Sequence, residues 1–349
     1  MRIDTLLPQE IDQSRASAAA LSGEHGYDGF WIGESAHDPW MQALVAAETA
    51  TDSHIGTAVV IAFARTPMTV AHSAYDLARY SRGRFVLGLG TQVKPHIERR
   101  FSMPWSHPAD RMREYITALR AIWAAWAGDR PLDFHGRFYT HDLMTPVFSP
   151  AAHQWGPPPV YLAAVGERML RVTGEVADGL ITHPFHSEDY LRRRILPAVA
   201  EGAAAAGRRL GDVAVVGSVL VATGSDADER ARSTAHVRRW LSFYSSTAAY
   251  LPVLELHGWG HIHDELRAMS RRGQWQEMAD SFPEELVDVL AVVGDPRDVA
   301  KRLVDRYSGV ADRVSLNLGP DATPDTHREL LAAIRTAVSR RGNWVCAAR

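Results

Sequence analysis

Four groups of residues sit where chemistry is usually done, just beyond short apolar runs. Glu34, Ser35, His37 and Asp38 follow the run 28–33, with Trp40 close behind. Gly90, Thr91, Gln92 and Lys94 follow 84–88 in the same way. At Ala164, Val165, Gly166, Glu167 and Arg168 an apolar run stops, a glycine lets a ligand approach the backbone, and helical spacing begins. Free N–H groups at such a helix start bind phosphate, and Arg168 adds a cation there or points to solvent. His183, Pro184, Phe185 and His186 end the next run. His37 and His183 are the candidate acid/base residues, because imidazole titrates near neutrality. Trp40, Phe63 and Trp105 wall a substrate pocket or belong to the core. Each of the others also has a purely structural reading. Glu34 suits a helix-start acid in a favourable dipole, His37 and Asp38 a turn and N-cap, His183 a packed strand end, and Lys94 a solvated loop.

The elements that position these residues alternate strand and helix. Strands are expected at 2–7, 28–33, 55–62, 84–88, 160–165, 178–182, 213–222 and 313–318. The segment 55–62, IGTAVVIA, is nearly all apolar, as a strand buried on both faces should be. Helices are expected at 11–25, 41–51, 67–80, 108–126, 166–176, 189–206, 295–307 and 326–340, with Pro67 at a first-turn position that suits its fixed φ. Met112, Tyr115, Ile116, Leu119, Ile122 and Trp123 form one apolar stripe on the long helix. Eight strand–helix units predict a (β/α)8 barrel, with a doubly wound open sheet as the competing architecture. In a barrel, function belongs at the C-terminal strand ends, where the four groups above fall. The chain of 349 residues then reads as one domain spanning 1–349, with a helical insertion at about 225–286 and a smaller excursion at 129–156. The insertion's aromatics, Trp240, Tyr244, Tyr250, Trp259 and Trp275, read as core of an extra helical layer.

Composition narrows the function classes. Hydrophobic residues are 46% and charged residues 23%, which excludes disordered, collagen-like and coiled-coil chains. Lys+Arg 38 against Asp+Glu 41 leaves a net charge of -3, with no electrostatic footprint for nucleic acid or anionic lipid. Only Lys94 and Lys301 are lysine. With no bulk field, anion binding has to be local: at the helix start near Gly166, at the loop carrying Lys94, and at a few arginines. The single cysteine, Cys346, cannot form an intramolecular disulfide or a thiolate cluster. No leader pattern opens the chain and no apolar run reaches spanning length, so a cytoplasmic protein without a membrane partner is expected. Gly88-Leu89-Gly90 starts a dinucleotide fingerprint that Val93 fails to complete, and neither HExxH nor a P-loop is present. The pair His261 and His263 lies in the helical insertion, and no metal site is expected there. A metal-dependent hydrolase needs ligands at the end of the first strand, where Leu6-Leu7-Pro8 supplies none.

Five stretches taken together resemble a known family. They are GYDGFWIGESAHDP (26–39), IGTAVVIAFARTPMTVAHSA (55–74), RGRFVLGLGTQVKPHIERRFSMPWSHPADRMRE (82–114), PPPVYLAAVGERMLRVTGEVADGLITHPF (157–185) and AVVGDPRDVAKRLVDRY (291–307). Their order and spacing resemble the luciferase-like monooxygenase superfamily, specifically its actinobacterial branch of F420-dependent oxidoreductases. The resemblance implies a TIM barrel with an insertion before the last strand, a homodimer, and a deazaflavin (coenzyme F420) or, alternatively, FMN at the barrel mouth. It implies that the ring lies on a bulge after the third strand, within Val59–Ala62 and near Val60–Ile61, often with a non-prolyl cis peptide. It further places Glu34, Gly90, Thr91 and Gln92 around the ring and Gly166 with its neighbours at the phosphate. The implied reaction is hydride transfer to or from a small organic molecule. An FMN-dependent, oxygen-activating monooxygenase and a non-catalytic cofactor-binding relative are the alternatives. Ser35 stands where some deazaflavin enzymes of the superfamily carry a histidine, so no proton donor is carried over from them. Thr91-Gln92-Val93 lacks the glutamate of sugar-phosphate-oxidising relatives, so a sugar phosphate substrate is not expected.

Overall fold

The structure, a computed structural model, describes residues 1–341. Cys346 lies outside the described residues. Eight parallel strands form the barrel: β1 (Arg2–Leu6), β2 (Gly29–Ile32), β3 (His54–Thr57), β4 (Phe85–Gly90), β5 (Val160–Ala164), β6 (Gly179–Thr182), β7 (Ala214–Ala222) and β8 (Arg313–Leu318). Each pairs with the next in sequence, and β8 returns to β1, so the sheet closes and leaves no edge. The open-sheet alternative is therefore excluded, and the architecture is the (β/α)8 barrel.

Alternation along the strands separates two cores. Outward residues such as Phe30, Ile55, Leu87, Leu162 and Leu316 pack beneath the helices. Inward residues Trp31, Val86, Ile181 and Val216, with Tyr161 and Ala163, fill the barrel itself. Trp31 fits because β3 carries Gly56 beside it: a Cβ there would stand 2.4 Å from the indole ring. A buried ion pair lies below. Arg313 donates through Nε and Nη2 to the Asp4 carboxylate at 2.6 Å each, and Trp31 Nε1 donates to the same group at 2.9 Å. No exposed surface remains on Asp4.

Most elements match the sequence reading within two or three residues. The helix Pro67–Tyr80 starts at the expected proline, with Thr66 capping it. Asp38 caps Pro39–Thr49 and Asp295 caps Pro296–Tyr307, each through its side chain. The segment 55–62 departs most. It is not one strand: β3 ends at Thr57, a bulge follows, Val60–Ile61 pairs with the end of β4, and a 3-10 turn Ala62–Ala64 closes it. An apolar run has no period that marks such a break. A short helix, Lys94–Arg99, and a hairpin of Phe134–His135 with Thr140–His141 also form, where the sequence showed only loops. Between β7 and Pro296–Tyr307 lies a helical layer running from Ala227 to Leu290, with its own core of Val237, Leu241, Val253, Leu254, Leu266 and Leu286.

Candidate functional site

The C-terminal ends of β2 to β5 bring one group of residues together. Glu34, just past β2, accepts the backbone N–H of Ile61 at 2.8 Å and the Arg65 guanidinium at 2.8 Å on each oxygen. Arg65 also donates to Asp38 at 2.9 Å. The Glu34 side chain is only 6% exposed, so this charge is spent inside the protein rather than offered to a ligand. Its work is to hold the bulge after β3 in place. The bulge presents Ala58 and Val59, both partly exposed, above Trp31 and Ala163 at the top of the barrel interior. The Ala58–Val59 peptide is cis, one bond before the expected 59–62 window. Val60 and Ile61 are 0% and 1% exposed and face the core beneath the helices, so their side chains do not reach the mouth. Ala58 and Val59 are the bulge residues that do.

Across from the bulge, β4 ends in Gly90, where an added Cβ would stand 2.5 Å from Val59 Cγ2. Only glycine lets β4 and the bulge approach this closely. Gln92 follows at φ 60, its turn tied by the Thr91 hydroxyl donating to the Gln92 carbonyl at 2.8 Å and by Val93 N–H donating to Gln92 Oε1 at 3.0 Å. Lys94 is exposed and 3.8 Å from Glu98 on its own short helix. Ser35 donates to Gln9 and receives Arg100 on its carbonyl oxygen, so it is a structural tie.

After β5 the chain passes Ala164 and Val165 to Gly166, the N-cap of the helix Glu167–Val176. No heavy atom lies within 4 Å of a Cβ built on Gly166, which leaves the helix start open. Its first N–H groups lack intrahelical acceptors by geometry and carry the positive end of the helix dipole. The flanking side chains turn away: Glu167 pairs with Arg171 at 2.6 Å and Arg168 with Asp110 at 3.5 Å.

The candidate acid/base residues lie in contrasting settings. His37 is exposed, between Glu34 and the capping Asp38. His183, just past β6, accepts the Phe185 N–H on Nδ1 at 3.1 Å, so its proton sits on Nε2. Its ring stacks on Tyr250 at 4.4 Å and meets Tyr244 edge-on at 4.6 Å. Burial drives its pKa down to about 3, so it is a neutral imidazole, and near-neutral titration does not describe it. His186 donates through Nδ1 to the His183 carbonyl at 2.7 Å, while its Nε2 lies 3.3 Å from the Tyr307 hydroxyl and Arg306 donates to its carbonyl oxygen. His186, Arg306 and Tyr307 thus fix the turn that carries His183.

The three aromatics divide. Phe63 is fully buried beneath the Arg111 guanidinium, 4.5 Å from the ring centroid, and Trp105 meets it edge-on at 5.7 Å. Phe63 is therefore core, not pocket wall. Trp40 packs on Phe85 and, with Ala64, Arg65, Thr66, Thr69, Ser73 and Met103, lines a cavity of about 440 Å³. A larger hollow of about 1260 Å³ runs outside the barrel between the helices Pro296–Tyr307 and Pro324–Arg340, away from these residues. His263 is buried and bonded to the Ser245 carbonyl, and His261 stacks on Trp259, so the two imidazoles do not act together. The sequence reading missed Arg65 as the partner of Glu34, and Tyr244 and Tyr250 beside His183. Nothing local marks the tyrosines, which come to β6 from the helical layer.

A family model described as luciferase-like monooxygenase matches residues 6–313. The chain belongs to the luciferase-like monooxygenase family. This luciferase-like chain is 46% identical over 314 residues to an uncharacterised protein of Mycobacterium tuberculosis, covering 90% of this chain and 92% of that one. It is 28% identical over 286 residues to the F420-dependent glucose-6-phosphate dehydrogenase of Nakamurella multipartita, covering 78% and 80%. Its fold is similar to that of the coenzyme F420 dependent tetrahydromethanopterin reductase from Methanopyrus kandleri. The TM-score is 0.78 at 17% identity, over 96% of this chain and 97% of that one.

Proposed function

We propose that this chain is an oxidoreductase that binds coenzyme F420 at the barrel mouth and exchanges a hydride between it and a small organic substrate. The observation that carries this reading is a juxtaposition at the two strand ends, of β3 and β5, that flank β4. The apolar ledge Ala58–Val59, closed in by Gly90, stands beside the open helix start at Gly166. A flat ring joined to a phosphate needs those two surfaces side by side. The relatives named for F420 support this coenzyme over FMN. When bound, the deazaflavin supplies two-electron hydride chemistry, because carbon replaces the flavin N5.

The chain's own residues then divide the work. Glu34 and Arg65 fix the ledge. The Thr91-Gln92 turn borders it, and the N–H groups after Gly166 hold the phosphate. Lys94, exposed at the rim, can meet an anionic extension of the coenzyme. His37, open to water, can pass a proton between substrate and solvent, while neutral His183 donates a hydrogen bond from Nε2. No carboxylate follows the β4 turn, so a sugar phosphate is not the substrate proposed here, in contrast to the Nakamurella relative. We place the chain in the cytoplasm as a homodimer of one barrel domain carrying the helical insertion. Gel-filtered protein titrated separately with F420 and FMN, followed by ligand fluorescence, tests the coenzyme. Saturable F420 binding with much weaker FMN binding is expected. Tight FMN binding with no measurable F420 affinity would overturn the proposal in favour of an oxygen-activating flavin enzyme.

A further inference from the structure

The mouth has a second half, of which the proposed function uses only His183. From β6 outward, aromatic rings follow one another in contact. His183 stacks on Tyr250, and Tyr250 meets Tyr244 at 5.7 Å. Tyr244 stacks on Trp240 at 5.4 Å and touches Phe243 at 5.6 Å, and Phe243 reaches Trp275 at 6.2 Å. Exposure rises outward along this series. Trp240, Phe243 and Trp275 are 40%, 40% and 51% exposed, whereas Tyr244, Tyr250 and His183 are only partly exposed. A soluble core does not leave three large aromatic rings of one continuous series in water without a use for them.

Three polar atoms lie at the inner end. Among the described residues, His183 Nε2 and the hydroxyls of Tyr244 and Tyr250 have no hydrogen-bond partner, yet none is sealed in the core. The surroundings are electrically quiet. Desolvation alone moves His183 and Tyr244, with no charged side chain contributing, and Tyr250 feels only Tyr244 besides. A carboxylate or phosphate would find no cation there. A neutral oxygen would find three donors, and a planar ring would find stacking faces.

The geometry points to a substrate site for a neutral aromatic ketone, aldehyde or the corresponding alcohol. His183, Tyr244 and Tyr250 hydrogen-bond the substrate oxygen, and Trp240 and Phe243 stack against the rest of it. The inference rests on the proposed oxidoreductase function for what happens to the bound molecule, but not for the binding itself. The site lies on β6 and the helical layer, with β6 adjoining the β5 strand that leads to Gly166 and standing three strands round the barrel from the β3 ledge, so substrate and coenzyme have different walls.

Calorimetric titration of the full chain with 4-hydroxyacetophenone, beside acetone and glucose 6-phosphate, tests it directly. The aromatic ketone should bind and the other two should not. Tyr244→Phe and Tyr250→Phe should each weaken it by about tenfold, the usual worth of one hydrogen bond in a partly buried site. Trp240→Ala should weaken it as well. F420 affinity, read by its fluorescence, should stay unchanged in all three variants, and Tm in the two tyrosine variants, whereas Trp240→Ala also loses its bond to His236 and its stacking on Tyr244. Among the described residues the tyrosine hydroxyls make no hydrogen bond, so phenylalanine removes none from the fold. Equal affinity for acetone and the aromatic ketone, or indifference to both tyrosine variants, overturns the inference. Ketone binding in a chain that does not bind F420 overturns the coenzyme reading and leaves this one standing.

Discussion

At the residue scale, the two glycines of the mouth make opposite demands. Gly90 is confined, with Val59 Cγ2 2.5 Å from its hypothetical Cβ, whereas Gly166 has open space there. Gly90→Ala should push the bulge away from β4 and lower both F420 affinity and Tm. Gly166→Ala should keep stability within about 1 kcal/mol, as an N-cap alanine usually does, yet weaken F420 because the methyl occupies the anion's place. Paired Tm and fluorescence titrations separate the two outcomes. Glu34 is the third case. Glu34→Gln leaves Arg65 facing a neutral amide and should cost about 3 kcal/mol, as removing one partner of a buried pair does. Urea denaturation measures that cost, and F420 affinity should fall with the ledge.

At the element scale, the strands are held from inside as much as from the helices. Asp4 on β1, Arg313 on β8 and Trp31 on β2 lock three neighbouring strands together below the mouth. Arg313→Met would leave a buried carboxylate with one donor, a loss of about 3–5 kcal/mol. Asp4→Leu with Arg313→Met should recover part of it, because both charges are then gone. Equal urea midpoints for the single and double variants would contradict this. The same scale explains the bulge. Thr57 and Val60 are both apolar-run residues, but the chain between them is diverted because Glu34 from another strand end captures Ile61 N–H. That capture is a tertiary event, which is why 55–62 read as one continuous strand.

At the scale of the whole molecule, buried neutral histidines link stability to pH. His183 and His186 are both depressed to about 3, and His54 and His327 to about 4, chiefly by burial. Each binds a proton more readily in the unfolded chain, near the ordinary imidazole value of 6.5, than in the folded one. Their contribution is therefore complete above about pH 6.5 and drains away as pH falls toward 4 and below. His183 and His186 should each contribute a slope of about 1.4 kcal/mol per pH unit below that point. Urea midpoints measured from pH 7.5 to 4.5 should fall steadily below 6.5. A flat profile down to 4.5 would show that the folded imidazoles take up protons over the same range as those of the unfolded chain.

The sequence by itself determined the alternation of eight strands and helices and the strand ends where function gathers, and it favoured the barrel that the pairing of β8 with β1 then decided. Those features are local: apolar period, capping aspartates and threonines, and prolines at helix starts act within a few residues of one another. It also marked Glu34, Gly90 and Gly166, a carboxylate and two glycines at or just past strand ends. Only the tertiary structure decided that Glu34 faces Arg65 and Ile61 instead of a ligand, that Phe63 is core, and that Ala58–Val59 is the exposed ledge. It also brought Tyr244 and Tyr250 to His183. Each of those outcomes depends on a partner from another strand or from the helical layer, and no local pattern encodes which distant side chain arrives.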